Sequence, residues 1–339
     1  MKAAFIYAPR DLRVEEVDVP KIGDDEALIR VRACGVCFSD IRFYLGLKKY
    51  KHTGFGREYP GFTGHEWAGE VVEMGKNVEN ISIGDRIVPS IIIPCGRCRQ
   101  CRRGRINLCK DKIFTHGGFA EYVKAPAKNL MKMPDGLGFE EAALTEPIAC
   151  CLNAGIRSGI REGDEAIIIG DGFMGILNMM IAKLLGASVT LIGHHDERLE
   201  LAQRLGADKT INSKKMRSIG ELEKEVGGKA DAVIVSVGNK HAIETGLMLV
   251  DDGGVVNLFA GTYPPEKIEL DPNMIHYGEI ILTGSNVAPP KLFKEALNVL
   301  ASRKLNVEPL IRYRFRLEEV ERAFEAVERR EVIKAMIVP

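Results

Sequence analysis

What this 339-residue sequence lacks narrows its function first. It has no surplus of either charge, since Lys and Arg total 47 and so do Asp and Glu. Without a basic excess there is no global field to draw the chain to nucleic acid or to an acidic surface. No stretch approaches the ~20 apolar residues that would span a bilayer, and the opening MKAAFIYAPRDLRVEEV has no apolar core of signal-peptide length. Internal repeats and low-complexity linkers are missing too, which excludes solenoids and tethered modules. The expectation is a cytoplasmic protein with no nucleic-acid or membrane partner, in which thiols stay reduced. What is present, 45% apolar and 28% charged residues, suits a globular chain long enough for two domains.

Four of its eight cysteines are concentrated in IPCGRCRQCRRGRINLCK. Cys95, Cys98, Cys101 and Cys109 follow an x2, x2, x7 spacing, and four thiolates so placed make a closed tetrahedral zinc site with no position left for substrate. An iron–sulfur cluster also uses x2 spacings, but its fourth cysteine normally comes sooner and precedes proline. Disulfides do not suit a chain without a secretory signal. The site is therefore read as structural zinc, fastening a loop that buries little apolar surface of its own. The arginines between the ligands read as a solvated face. Such a knot does no chemistry, so the reactive centre lies elsewhere.

Residues 1 to about 150 alternate short strands (KAAFIYA, ALIRVRACGVC, GEVVEMG, DRIVPSIII) with Gly, Pro and Asp, the texture of a β-rich, barrel-like domain. Near Phe139 the pattern turns helical. From Asp164 strands and helices alternate (EAIIIG, DGFMGILNMMIAKLLGA, SVTLIG, DERLELAQRLGA, DAVIVSVG), which predicts βαβ units and a doubly wound parallel sheet of the α/β class. The tail holds two amphipathic helices and a final strand.

The strand EAIIIG runs directly into Gly170-Asp171-Gly172-Phe173-Met174-Gly175. A GxGxxG between a strand and a helix is the context that marks a dinucleotide site. Gly170 makes the turn, Gly172 lets backbone approach a pyrophosphate at the helix N-terminus, and Gly175 lets helix and strand pack closely. About twenty residues on, where an acid would take the ribose of NAD, stand Gly193, His194, His195 and Arg198. A small residue beside three donors favours NADP over NAD.

Cys37 follows a strand, His65 and Glu66 lie in GFTGHEWAGEVV, and Glu146 precedes a proline. One sulfur, one imidazole and one or two carboxylates fit a catalytic zinc with an open position. The same residues also suit a turn entering a strand, with Cys37 packed in a core, and spacing alone leaves both readings open.

In combination the motifs are more specific. Gly35-Val36-Cys37-Phe38-Ser39-Asp40, Gly64-His65-Glu66, Gly84-Asp85-Arg86, the four-cysteine lobe, Gly117-Gly118, Glu146-Pro147 and the glycine fingerprint occur in one order along the whole chain. Together they resemble the zinc-dependent alcohol dehydrogenases of the medium-chain dehydrogenase/reductase superfamily, the branch with sorbitol and threonine dehydrogenases in particular. The resemblance implies a GroES-like catalytic domain (1–150, completed by 288–339), a Rossmann domain (151–287) and a cleft between them. It implies two Zn²⁺ per chain, one structural and one held by Cys37, His65 and Glu66, with Glu146 as an exchanging ligand. Ser39 stands at the proton-relay position, while Gly261 and Ser285 match strand ends that line the nicotinamide. The implied reaction is reversible oxidation of a secondary alcohol, a polyol or sugar, in a homo-oligomer, a tetramer rather than a dimer.

Two positions depart from the pattern. Arg42 stands where these relatives commonly carry a histidine, which argues against threonine as substrate because arginine does not give up its proton. Gly193 stands where NAD-dependent relatives carry an acid. The competing expectations are threonine-type amino-alcohol oxidation with NAD, zinc-independent quinone or enoyl reduction in the same fold, and a non-enzymatic protein structured by zinc. Residues 42–60, rich in basic and aromatic groups, are expected to shape the substrate pocket.

Overall fold

The computed structural model describes residues 1–47 and 61–339. The chain forms two compact units, Met1–Glu146 with Ala288–Pro339, and Pro147–Val287.

The first unit is built on a largely antiparallel sheet. Its central strand, Glu26–Gly35, pairs with Glu66–Met74 on one side and with Ala335–Val338 on the other, and Tyr122–Pro126 pairs with its first half. Two irregularities, between Leu28 and Ile29 and between Val31 and Ala33, curl this strand as bulges do in barrel-like sheets. Inward residues such as Ile29, Val31, Trp67, Val71 and Ile87 are at most 2% exposed and fill one core with Phe119 and Phe324. The register sets Gly35 opposite Glu66 on one neighbour and opposite Met336 on the other. A residue before the bend of the central strand thus lies between two chain segments far apart in sequence.

The second unit is a six-stranded parallel sheet in the order Lys209–Asn212, Ser188–Gly193, Glu165–Ile169, Ala230–Val235, Val250–Leu258, Ile281–Gly284. Numbered along the chain that order is 3-2-1-4-5-6, the doubly wound Rossmann arrangement. Its inner strands are continuous apolar runs: in EAIII every residue after Glu165 is buried. A parallel sheet covered on both faces requires that pattern. The expected α/β class, with a β-rich GroES-like unit and a parallel-sheet unit, is the one observed.

Candidate active site

Three neighbouring segments bring the polar groups of the first unit together. Cys37 caps the helix Phe38–Tyr44, and Asp40, the third residue of its first turn, reaches back so that its Oδ2 accepts the Cys37 N–H at 3.1 Å. The other carboxylate oxygen of Asp40 lies 3.3 Å from His65 Nδ1. One buried acid therefore fixes both the helix start that carries the thiol and the orientation of the imidazole, as a second-layer carboxylate does for a metal-binding histidine. Engaging Nδ1 leaves Nε2 as the nitrogen able to ligate.

Glu66 follows His65 on the strand Glu66–Met74, and its carboxylate forms an ion pair with the ammonium of Lys334. Both are almost fully buried, and Lys334 also donates to Val36 O at 3.0 Å. The pair crosses over Gly35. A Cβ there would stand 2.8 Å from Lys334 Cε and would collide with the Glu66 carboxylate. Burial lowers the Lys334 pKa, but Glu66, then Cys37, and Glu146 raise it more, so the side chain keeps its charge. For His65, burial again lowers, while Asp40 and Cys37 raise its pKa above the ordinary value.

Cys37, His65 and Glu66 each offer one ligand atom, and these atoms lie within 4.8 Å of one another. A half-buried thiol with a buried imidazole and carboxylate so gathered fit a divalent cation with a vacancy for substrate. Glu146, 9% exposed at the start of the helix Thr145–Arg157, is outside that 4.8 Å group, though its charge is felt at Lys334. Ser39 Oγ is buried and has no hydrogen-bond partner among the described residues. Arg42 lies over the Phe38 ring, 5.6 Å from its centre. The part of the expected pocket loop from 48 to 60 lies outside the described residues.

The cysteine lobe has the dimensions of a second metal site. Cys95 and Cys101 sulfurs are 4.0 Å apart, while Cys98–Cys101 and Cys95–Cys109 are each 3.5 Å apart. Tetrahedral ZnS₄ with Zn–S near 2.3 Å needs sulfurs about 3.8 Å apart. The Cys101 N–H first, then those of Lys110 and Gln100, pull the Cys98 thiol down to about 6. Burial, with the thiols of Cys98, Cys109 and Cys95, pushes Cys101 up to about 12. Four sulfurs at these separations could hold a metal ion.

In the second unit the fingerprint does three separate things. Gly170 turns the chain at φ +121°, where any side chain would meet Val237. Gly172 caps the helix Phe173–Leu184 and has nothing within 4 Å of where a Cβ would be. That open cradle at a helix N-terminus is where a pyrophosphate fits. A Cβ on Gly175 would stand 2.7 Å from the Gly170 carbonyl carbon and closer to its oxygen. Phe173 and Met174, half-buried, open the helix. Gly193 ends the strand Ser188–Gly193, Gly261 follows Val250–Leu258, and Ser285 follows Ile281–Gly284, so all lie at the carboxyl edge of the sheet. Ser285 Oγ donates to Asn257 Oδ1 at 3.1 Å.

The comparisons with known proteins agree across both units. The profile of the family described as "Alcohol dehydrogenase GroES-like domain" matches residues 23–135, and that described as "Zinc-binding dehydrogenase" matches 174–302. Sorbitol dehydrogenase of Bacillus subtilis is 31% identical over 352 residues, covering 100% of this chain and 97% of the relative. The chain belongs to the zinc-type alcohol dehydrogenases of the medium-chain dehydrogenase/reductase superfamily.

L-Threonine 3-dehydrogenase of Pyrococcus horikoshii is 35% identical over 322 residues (91% of this chain, 90% of the relative). A Sinorhizobium meliloti chain described as a zinc-binding dehydrogenase and solved bound to NADP superposes with a TM-score of 0.92 at 31% identity, covering 100% of this chain and 99% of that one. This dehydrogenase is thus an oxidoreductase, and among its described residues no helix is long and apolar enough to cross a membrane. Sequence reasoning gave no role to Asp40, Lys334 or Asp171. Asp40 had a local signal in the Cys-x-x-Asp spacing of a capping box. Lys334 had none, since only the strand pairing brings it to Glu66.

Proposed function

We propose that this dehydrogenase reversibly oxidises a secondary alcohol, in a polyol or sugar, to the ketone, with two zinc ions per chain. The observation that carries the reading is the convergence of half-buried Cys37, two residues before Ser39 in the chain, with buried His65 and Glu66. When bound between these donors, zinc supplies Lewis acidity toward an alcohol oxygen. Asp40 keeps the imidazole turned for ligation, and Lys334 gives the buried Glu66 carboxylate a counter-charge. Glu146, in reach of the same field, is the exchanging ligand in this reading. Ser39 Oγ, with no hydrogen-bond partner among the described residues, receives the alcohol proton and passes it toward water. The second unit presents the hydride acceptor, a nicotinamide dinucleotide, with its pyrophosphate at Gly172 and the nicotinamide near Gly261 and Ser285.

The sequence favours NADP through Gly193, His194, His195 and Arg198, whereas the Asp171 carboxylate set against Gly193, His194 and His195 argues for NAD, as developed below. The proposed assembly is a tetramer and the proposed location the cytoplasm, where thiol ligands persist. The test is a panel of polyols, sugars, sugar phosphates and L-threonine, scanned for reduced cofactor, with metal analysis of wild type and Cys37→Ser. Polyol or sugar turnover with two zinc ions, one lost in Cys37→Ser, supports the reading. Threonine as the best substrate overturns the substrate class. A single zinc that survives Cys37→Ser overturns the metal assignment.

A further inference from the structure

The strand Ser188–Gly193 ends where a Rossmann unit recognises the adenosine ribose. The space beside Gly193 is not open. A Cβ on Gly193 would stand 2.7 Å from both Cγ and Oδ2 of Asp171, the second residue of the glycine fingerprint. Asp171 is 7% exposed. Its Oδ2 accepts the N–H of His194 and the N–H of His195, each at 2.7 Å, and lies 2.9 Å from His195 Nδ1. Successive backbone N–H groups at a turn form an anion-binding nest, and here a carboxylate of the same chain sits in it. Burial raises the Asp171 pKa, but the bonds from His194 N–H, the His195 ring and His195 N–H together hold it below the usual range, so the group is an anion at neutral pH. Of the side chains that the sequence assigns to a 2′-phosphate, it takes the His195 ring.

We infer that Asp171 is the specificity-determining residue of the adenosine pocket: its carboxylate occupies the anion nest at the end of Ser188–Gly193, repels a 2′-phosphate, offers an acceptor to a ribose hydroxyl, and so makes the cofactor NAD. The acid that relatives carry at the strand end is supplied here from the preceding βα turn, one strand away. The glycine at 193 follows from this arrangement, because a side chain there would collide with the carboxylate. The inference reverses the NADP preference drawn from sequence, and it rests on the reading of the second unit as a dinucleotide site.

Equilibrium titration with NADH and NADPH, followed by cofactor fluorescence, tests it on wild type, Asp171→Asn and Asp171→Ser, with circular-dichroism melting of each. Asp171→Asn keeps an oxygen for the turn amides and removes only the charge. Wild type should bind NADH at least about tenfold more tightly than NADPH, the scale of one unit charge facing a phosphate at close range. Both variants should shift the ratio toward NADPH by about tenfold or more, chiefly through tighter NADPH binding. Wild type binding NADPH more tightly would overturn the inference without any variant, and would leave Asp171 as the group that orients His195 toward a phosphate. A ratio in folded Asp171→Asn within about twofold of wild type would overturn it as well. Binding of neither cofactor to wild type would instead overturn the dinucleotide reading on which it rests.

Discussion

Gly175 and Gly172 belong to one motif but should fail in opposite ways when given a methyl group. In Gly175→Ala the new Cβ would stand 2.7 Å from the Gly170 carbonyl carbon and nearer to its oxygen, inside the 3.0 Å that real Cβ atoms respect. Both obstacles are backbone, so no side chain can turn aside. The helix Phe173–Leu184 must move off the strand end by about 1 Å, and a packed interior resists such a shift. Overpacking of this kind costs about 2–3 kcal/mol. For a unit the size of 147–287 this lowers the melting temperature by roughly 6–12 °C. Gly172→Ala meets no atom within 4 Å and sits at φ −78°, which alanine adopts freely. Its melting temperature should hold or rise slightly, while dinucleotide affinity falls by about tenfold or more because the methyl fills the cradle. Calorimetry and cofactor titration on both variants check the pair. A Gly175→Ala protein that melts within about 2 °C of wild type, or a Gly172→Ala protein that binds cofactor as wild type does, refutes the reasoning.

Other perturbations give separate readouts. Cys98→Ser should cost one zinc by metal analysis and expose the 95–109 lobe to proteolysis, while the zinc dependent on Cys37 is retained. Asn257 is 0% exposed and bonds Ala154 O, Ser158 Oγ and Ser285 Oγ, each at 3.1 Å. Asn257→Ala should therefore destabilise the second unit by about 2–3 kcal/mol in denaturant titrations. Burial, and then the bond it donates to Glu321, push the Tyr44 phenol up to about 12. Its folded pKa thus exceeds the unfolded value of about 10. The stability it contributes is complete below that pH and is lost as pH rises toward about 12. Tyr44→Phe should abolish this alkaline decline, seen by melting and by phenolate absorbance.

Much of this protein could be read from local patterns, because the relevant physics is local. The cysteine lobe is set by ligand spacing within fifteen positions. The Rossmann unit is set by runs such as EAIII that no half-exposed strand would carry. Harder to read were short elements held by tertiary contact: the helices Phe38–Tyr44, Ile219–Val226 and Pro272–Gly278, and the strand Tyr313–Arg316. The site divides along the same line. Cys37, His65 and Glu66 stand out by type and motif, whereas Lys334 meets Glu66 only through the pairing of Ala335–Val338 with Glu26–Gly35. Asp171 was visible as a letter in the fingerprint. No periodicity shows that its carboxylate turns to residues 194 and 195.

The strand next to Lys334 also bears on how the molecule is made. Residues 288–339 complete the first unit, yet they leave the ribosome only after all of 147–287. Synthesis thus delivers a finished nucleotide-type sheet while the earlier-made unit still lacks the strand Ala335–Val338 and the ammonium that compensates Glu66. Domains tend to fold as they emerge, but Met1–Glu146 cannot complete its unit until the last segment arrives. Ribosome-bound chains halted before residue 334 would carry Glu66 without its counter-charge, a window in which premature closure around that carboxylate is disfavoured.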